Sequence, residues 1–219
     1  MSDEIWDAYN LLLIGPDRER LRKLFARYEL FKMSLPLPGD IVECGVFKGS
    51  GLMLWAKLVQ IFCSGSIKRT VGFDLFTKFA EPSNDEEAKH VNDFLAEASF
   101  EGVLMNDLAG KLSEAGIPTT AYELVQGDIR TTAVSYVNAN PGFRISLLHL
   151  DLDLEAGTFA ALEAFWPRVV TGGIVVFDEY AVPRWTESNA VDKFFADKQV
   201  TLHTLPFART PTAYVIKGS

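Results

Sequence analysis

Five acidic residues stand at two points of the chain where an apolar run should be ending. In "LLHLDLDLEAGT" (147–158) Asp151, Asp153 and Glu155 follow at every second position, and in "GGIVVFDEY" (172–180) Asp178 and Glu179 are adjacent. Strand alternation along "LLHLDLDLE" puts His149, Asp151 and Asp153 on one side and Leu148, Leu150 and Leu152 on the other. One face is apolar and the other ionisable. If the two runs are parallel neighbours, their carboxyl ends bring Asp151, Asp153, Asp178 and Glu179 together. Carboxylates at such range raise one another's pKa and destabilise a fold unless a cation sits among them. Oxygen donors without cysteine, and with at most one histidine nearby, suit a hard divalent ion, most simply Mg²⁺. The competing reading is a set of separate helix N-caps and solvated strand ends. Convergence of two independent segments favours the ion.

A second constellation precedes it. "IVECGVFKGSG" (41–51) reads as a strand, a glycine-rich turn and a helix start, where Gly45, Gly49 and Gly51 let backbone approach a ligand and the helix N-terminus offers free N–H groups. Position 47 is Phe, so the dinucleotide glycine fingerprint is broken, and Lys48 is followed by Gly49, so there is no phosphate loop. Both common nucleotide motifs are thereby weakened, and an NAD-linked oxidoreductase with them. Glu43, at the strand end, can face a cationic ligand. Asp74, ending "VGFD", is placed to accept from ribose hydroxyls, and Asp128 in "QGDIRTT" falls near where an adenine would lie. Each acid alone is an ordinary cap or turn residue. Three at the carboxyl ends of successive strands make a nucleoside site.

These residues need a scaffold that gathers strand ends. Strand runs at 40–45, 70–74, 122–128, 143–151 and 172–180 alternate with helical stretches at about 50–62, 85–115, 130–139, 156–168 and 188–198. That alternation predicts an α/β fold with a mostly parallel sheet and helices on both faces. The closing stretch "VTLHTLPFARTPTAYVIKG" holds two more strand-like runs, predicting an antiparallel hairpin at the sheet edge and seven strands in all. Residues 3–34 read as a helical N-terminus stopped by Pro36, Pro38 and Gly39, giving a cap over residues 1–38 of a single domain spanning 1–219. Trp6, Tyr9, Phe25 and Phe31 exceed what one helix face needs, which points to homo-oligomer contacts or to a cap over the site. Residues 76–120 are polar and long for one crossover, and form either a lid or a solvated helical insertion.

Composition narrows the function classes. A net charge of −8, with no basic cluster to offset it, argues against nucleic acid as a partner. No apolar run is long enough to span a membrane, and the acidic "MSDEIWDAYN" lacks the features of a secretory signal. Two cysteines, Cys44 and Cys63, with no CxxC spacing, fit reduced thiols in a cytoplasmic protein.

The run "HLDLDLEAGTFAALEAFWPRVVTGGIVVFDEYAV", followed by "NAVDKFF" and preceded by "IVECGVFKGSG", resembles the macrocin O-methyltransferase family over roughly residues 40–217. The resemblance implies a class I methyltransferase (Rossmann-like) fold and a metal-dependent enzyme that uses S-adenosyl-L-methionine to methylate sugar hydroxyls in natural-product biosynthesis. It implies that Asp151, Asp178 and Glu179 hold Mg²⁺ and that Asp153 is the general base. His149 is an alternative base or an outer-shell ligand. Glu43, Cys44, Gly45, Phe47, Gly49, Ser50, Asp74, Gly127, Asp128 and Asp151 would surround the cofactor. Two positions depart from the family pattern: Glu179 stands where a second aspartate is usual, and Glu155 where an aromatic is. Such chemistry suits the residues, because an alcohol is a poor nucleophile at neutral pH and needs a cation to acidify it and a base to take its proton. Phe76, Phe79, Tyr180 and Trp185 can stack on a small-molecule acceptor or simply pack a lid. A catechol-like phenol, whose vicinal oxygens suit the same ion, is the second acceptor class. A nucleoside-binding module that has lost catalysis is the non-enzymatic alternative.

Overall fold

Gly15 and Pro16 divide the N-terminal helical run. In the computed structural model, which describes residues 3–77, 79–98 and 102–218, α1 (Asp3–Ile14) stops there and α2 (Glu19–Ser34) begins anew. Proline has no N–H to continue the ladder and its ring clashes with the preceding turn. The stretch expected at 85–115 is likewise two helices, α4 (Asp85–Ala98) and α5 (Met105–Glu114). Within the expected lid or insertion, Lys78 and residues 99–101 lie outside the described residues.

Five strands, β1 (Asp40–Cys44), β2 (Thr70–Asp74), β3 (Tyr122–Gln126), β4 (Ile145–Leu150) and β5 (Val169–Phe177), run parallel. A sixth, β6 (Ala213–Ile216), is antiparallel to β5, and the spatial order is β3-β2-β1-β4-β5-β6. The seventh strand is not formed among the described residues. The run around 200–205 keeps one antiparallel bridge, in which His203 and Tyr214 exchange backbone hydrogen bonds of 2.8 and 2.9 Å. Pro206 then removes a donor, and the chain turns before a second bridge can follow.

Helices cover both faces. Alternate residues of the central strands, among them Val42, Leu148, Leu150, Val175 and Phe177, meet α6 (Ile129–Ala139), α7 (Glu155–Phe165) and α8 (Glu187–Phe195). Their neighbours Ile41, Leu147, Ile174 and Val176 meet α2 and α3 (Ser50–Phe62) through Leu30, Phe31, Trp55 and Val59. Of the N-terminal aromatics, Phe31 is therefore core, whereas Trp6, Tyr9 and Phe25 are exposed, together with Ile5, Leu11 and Ile14 along α1. Among the described residues, no helix is long and apolar enough to cross a membrane.

The strand order reverses between β1 and β4, and this is where an open parallel sheet leaves a crevice at its carboxyl edge. Gly45 makes that junction: at φ +90° its missing Cβ would lie 1.8 Å from the Asp151 carbonyl oxygen. No other residue lets the end of β1 come so close to the end of β4.

Candidate functional site

A cavity of about 840 Å³ opens at the carboxyl edge, within the ~300–1,000 Å³ usual for small-molecule sites. Its walls come from the ends of all five parallel strands. Gly45, Asp74, Gly127, Asp128, Asp151, Asp153, Asp178 and Glu179 all line it.

The acid cluster forms as the spacing predicts, with one change of geometry. The ladder continues one residue past the strands: Asp151 N–H donates to Cys44 O at 2.8 Å and Asp178 N–H to Leu150 O at 3.0 Å. This sets Asp151 and Asp178 side by side. Alternation ends there, because Asp153 is not in a strand but in a tight turn at φ +62°. The turn points it into the same cavity. His149 sits one register step below, fully buried, with Nδ1 3.1 Å from Glu43 Oε1 and Nε2 3.1 Å from Asp178 Oδ1. It does not reach the cavity wall. Glu43 is also held by Trp55 Nε1 at 3.3 Å, and Gly51 gives it room, since a Cβ there would lie 2.1 Å from its Oε1. Among the described residues, ligand atoms of His149, Asp151 and Asp178 lie within 4.8 Å of one another, with Glu179 outside that set.

Three charged side chains were not legible as site residues. Lys23, from α2, donates to Asp178 Oδ2 at 2.8 Å and lies 3.9 Å from Asp151 Oδ2. Arg27, one turn on, is 3.7 Å from Glu43 and 3.8 Å from Asp151. Glu187, in the first turn of α8, is fully buried; its N–H donates to Asp153 O at 3.0 Å, its Oε1 accepts from Glu179 N–H at 2.9 Å, and its Oε2 has no hydrogen-bond partner among the described residues. The one available signal was the i, i+4 spacing of Lys23 and Arg27, which reads as an ordinary basic helix face.

The side expected to take a nucleoside is arranged differently from a bare row of acids. Asp74 braces its own loop: Oδ2 accepts from Val46 and Phe47 N–H at 2.7 and 3.1 Å, and Oδ1 from Phe76 N–H at 2.6 Å. Asp128 is the N-cap of α6 and is gripped by the Arg130 guanidinium. Both still line the cavity, as do Phe47 and Ser50, the latter opening α3. Cys44 and Gly49 do not line it; Cys44 packs into the core beneath α6–α8. Of the four aromatics, Phe79 and Trp185 stack at 6.2 Å and line the cavity beside Phe94 of α4. Phe76 is core and Tyr180 turns away to donate to Asp192 at 2.9 Å.

Charge sets the protonation of the cluster. Burial, then the Asp178 charge, raises Asp151 to about 6 and Glu179 to about 8. Burial, with the neighbouring acids adding to it, pushes Asp153 and Glu187 well above the usual carboxyl range. Asp178 goes the other way: burial opposes ionisation, but the His149 hydrogen bond and the Lys23 charge outweigh it. His149 is raised, because its bonds to Asp178 and Glu43 overcome the cost of burying its charge.

A pH dependence follows. Between about pH 4 and 8 the folded protein keeps protons on Asp151 and Glu179 that the unfolded chain has released, so stability falls as pH rises. The lowered Asp178 acts below that window. The melting temperature in EDTA is therefore expected to be lower at pH 8 than at pH 5.5, and Mg²⁺ to flatten the difference. A flat or rising EDTA profile contradicts the clustering.

A family model described as Macrocin-O-methyltransferase (TylF) matches residues 6–208. The chain is 30% identical over 149 residues to the 8-demethyl-8-(2,3-dimethoxy-alpha-L-rhamnosyl)-tetracenomycin-C 4'-O-methyltransferase of Streptomyces olivaceus, covering 67% of this chain and 54% of that protein. It spans about half the length of the curated relatives it matches. Among solved structures, CalS11, a calicheamicin methyltransferase, superposes with a TM-score of 0.82 at 30% identity over 100% of this chain and 88% of its own. MycE of mycinamycin biosynthesis, solved with Mg and SAH, shares the fold alone, with a TM-score of 0.50 at 14% identity over 87% of this chain and 48% of its own.

Proposed function

The chain belongs to the macrocin O-methyltransferase (TylF) family, and from that premise we propose that it transfers a methyl group from S-adenosylmethionine to a hydroxyl of a sugar or glycosylated natural product, with a divalent ion, most simply Mg²⁺, in the acid cluster. The observation that carries this reading is that Asp151, Asp178 and Glu179 line one cavity together with Gly45, Asp74 and Asp128. Relatives named as sugar O-methyltransferases support the acceptor class, and MycE, solved with Mg and SAH, supports the pair of cofactors. Its two cysteines, both unbridged, support work in the reducing cytoplasm.

The donor set fits a hard cation. The acids are oxygen ligands, the Asp178 charge raises Asp151 and Glu179, and among the described residues the buried Glu187 Oε2 beside them lacks a hydrogen-bond partner. Asp151, Asp178 and Glu179 would hold the ion, and Gly45, Phe47, Ser50, Asp74, Gly127 and Asp128 the nucleoside. Bound there, the two groups supply an electrophilic methyl and the charge that acidifies an alcohol. The chain does the rest. Asp153 takes the acceptor proton, His149 holds Asp178 in place, and Phe79 and Trp185 present a flat apolar wall to the acceptor and keep out water.

The test is calorimetric titration of S-adenosylhomocysteine and of Mg²⁺ into wild type and Asp178→Asn, followed by an acceptor panel of sugars and catechols. Wild type is expected to bind both, the variant to keep the nucleoside and lose the ion, and turnover to favour sugars. A wild type that ignores S-adenosylhomocysteine sinks the methyltransferase reading; one that ignores only Mg²⁺ sinks the metal reading.

A further inference from the structure

We propose that Lys23 is a tethered cation that occupies the divalent-ion position of the acid cluster, so that ion binding and withdrawal of Lys23 are one exchange. The inference rests on the metal reading above and extends it to α2, which supplies none of the expected ligands.

Asp178 is 1% exposed and has two oxygens: Oδ1 faces His149, and Oδ2 takes the Lys23 ammonium at 2.8 Å. The same ammonium lies 3.9 Å from Asp151 Oδ2, where the Arg27 guanidinium also stands at 3.8 Å. A Mg²⁺ ion held by Asp151 and Asp178 would need carboxylate oxygens at about 2.0–2.1 Å. It would therefore lie against the ammonium, and two cations at that range repel strongly in a buried site. One must leave. Lys23 is built to do so: it sits on a flexible four-carbon stem and its side chain is 26% exposed toward the cavity. Arg27 is not, being 8% exposed, against Glu43, and with its guanidinium 5.8 Å from the Trp55 ring.

The buried Asp178 carboxylate also needs a partner on each oxygen when no ion is present. Lys23 at 2.8 Å and His149 at 3.1 Å supply them, with Arg27 3.8 Å from the neighbouring Asp151. Leaving that carboxylate unpaired would be strongly destabilising.

The experiment uses Mn²⁺ as the probe, with binding read from the electron paramagnetic resonance of the free ion. Wild type, Lys23→Met and Lys23→Gln are titrated, with Asp178→Asn as a control, and melting temperatures are recorded with and without Mn²⁺. Lys23→Met is expected to bind Mn²⁺ at least about tenfold more tightly than wild type, because the ion no longer displaces a competitor. It is also expected to melt lower than wild type in EDTA and to gain more on adding Mn²⁺. Lys23→Gln, which keeps length and a donor without the charge, should follow it, and decides the matter if the methionine variant does not fold. Binding seen only once Lys23 is removed supports the exchange as well. Equal or weaker binding by the Lys23 variants overturns it while leaving the metal site intact. No binding by any variant overturns it together with the metal reading.

Discussion

Asp153→Asn is expected to lower kcat by roughly 10²–10⁴-fold while changing S-adenosylhomocysteine affinity by less than about twofold. The asymmetry follows from place. Asp153 lines the cavity beside the charges of Asp151, Glu179 and Asp178, away from the Asp74 and Asp128 proposed for the nucleoside. Asparagine is the right probe because residue 153 sits at φ +62°, a conformation asparagine tolerates and most residues do not. The backbone contact from Glu187 N–H to the residue 153 carbonyl at 3.0 Å is also kept. What disappears is the capacity to take a proton. Single-turnover kinetics beside calorimetry separates the outcomes: a change confined to KM or melting temperature would make Asp153 a packing residue and remove it from the chemistry.

His149→Leu is expected to cost about 3–5 kcal/mol of folding stability, the scale seen when one partner of a buried ionic pair is removed. His149 is 0% exposed, and its ring nitrogens face the carboxylates of Glu43 and Asp178 at 3.1 Å each. Two carboxylate acceptors require both ring nitrogens to donate, which agrees with its raised pKa. Leucine fills similar space and supplies neither proton. In a domain of this size the melting temperature should fall by roughly 6–20 °C. Denaturant unfolding checks it: a loss under about 1 kcal/mol would show that the ring merely fills space. His149→Gln, which restores at least one donor, should recover part of the loss.

Much of this architecture was legible because each strand ends on a residue that breaks the apolar pattern. Cys44–Gly45, Asp74, Gly127–Asp128, Asp151 and Asp178 all mark that change, and all lie at one sheet edge. What failed was finer. The run before Pro206 has strand-like composition, but composition does not reveal that a single bridge to Tyr214 is all the following turn allows. The alternation through Asp153 broke because a turn, not a strand, carries it into the cavity. Lys23 and Arg27 were missed for another reason: their partners lie more than a hundred residues away or on a different layer, and helical period says which residues share a face but not what that face meets. Glu187 looks like any first-turn acid until its burial is known.

The crossing of Gly45 and Asp151 divides the labour of the molecule. To one side, β1, β2 and β3 carry the groups proposed to face a nucleoside; to the other, β4 and β5 carry Asp151, Asp178 and Glu179. The two sets meet along the β1–β4 ladder, whose last approach, Gly45 against the Asp151 carbonyl, only glycine permits. On the proposed reading, exchanges at Phe79, Phe94 or Trp185 would reshape the acceptor wall and leave the strands of the donor side untouched, whereas any side chain at position 45 would strike the Asp151 carbonyl.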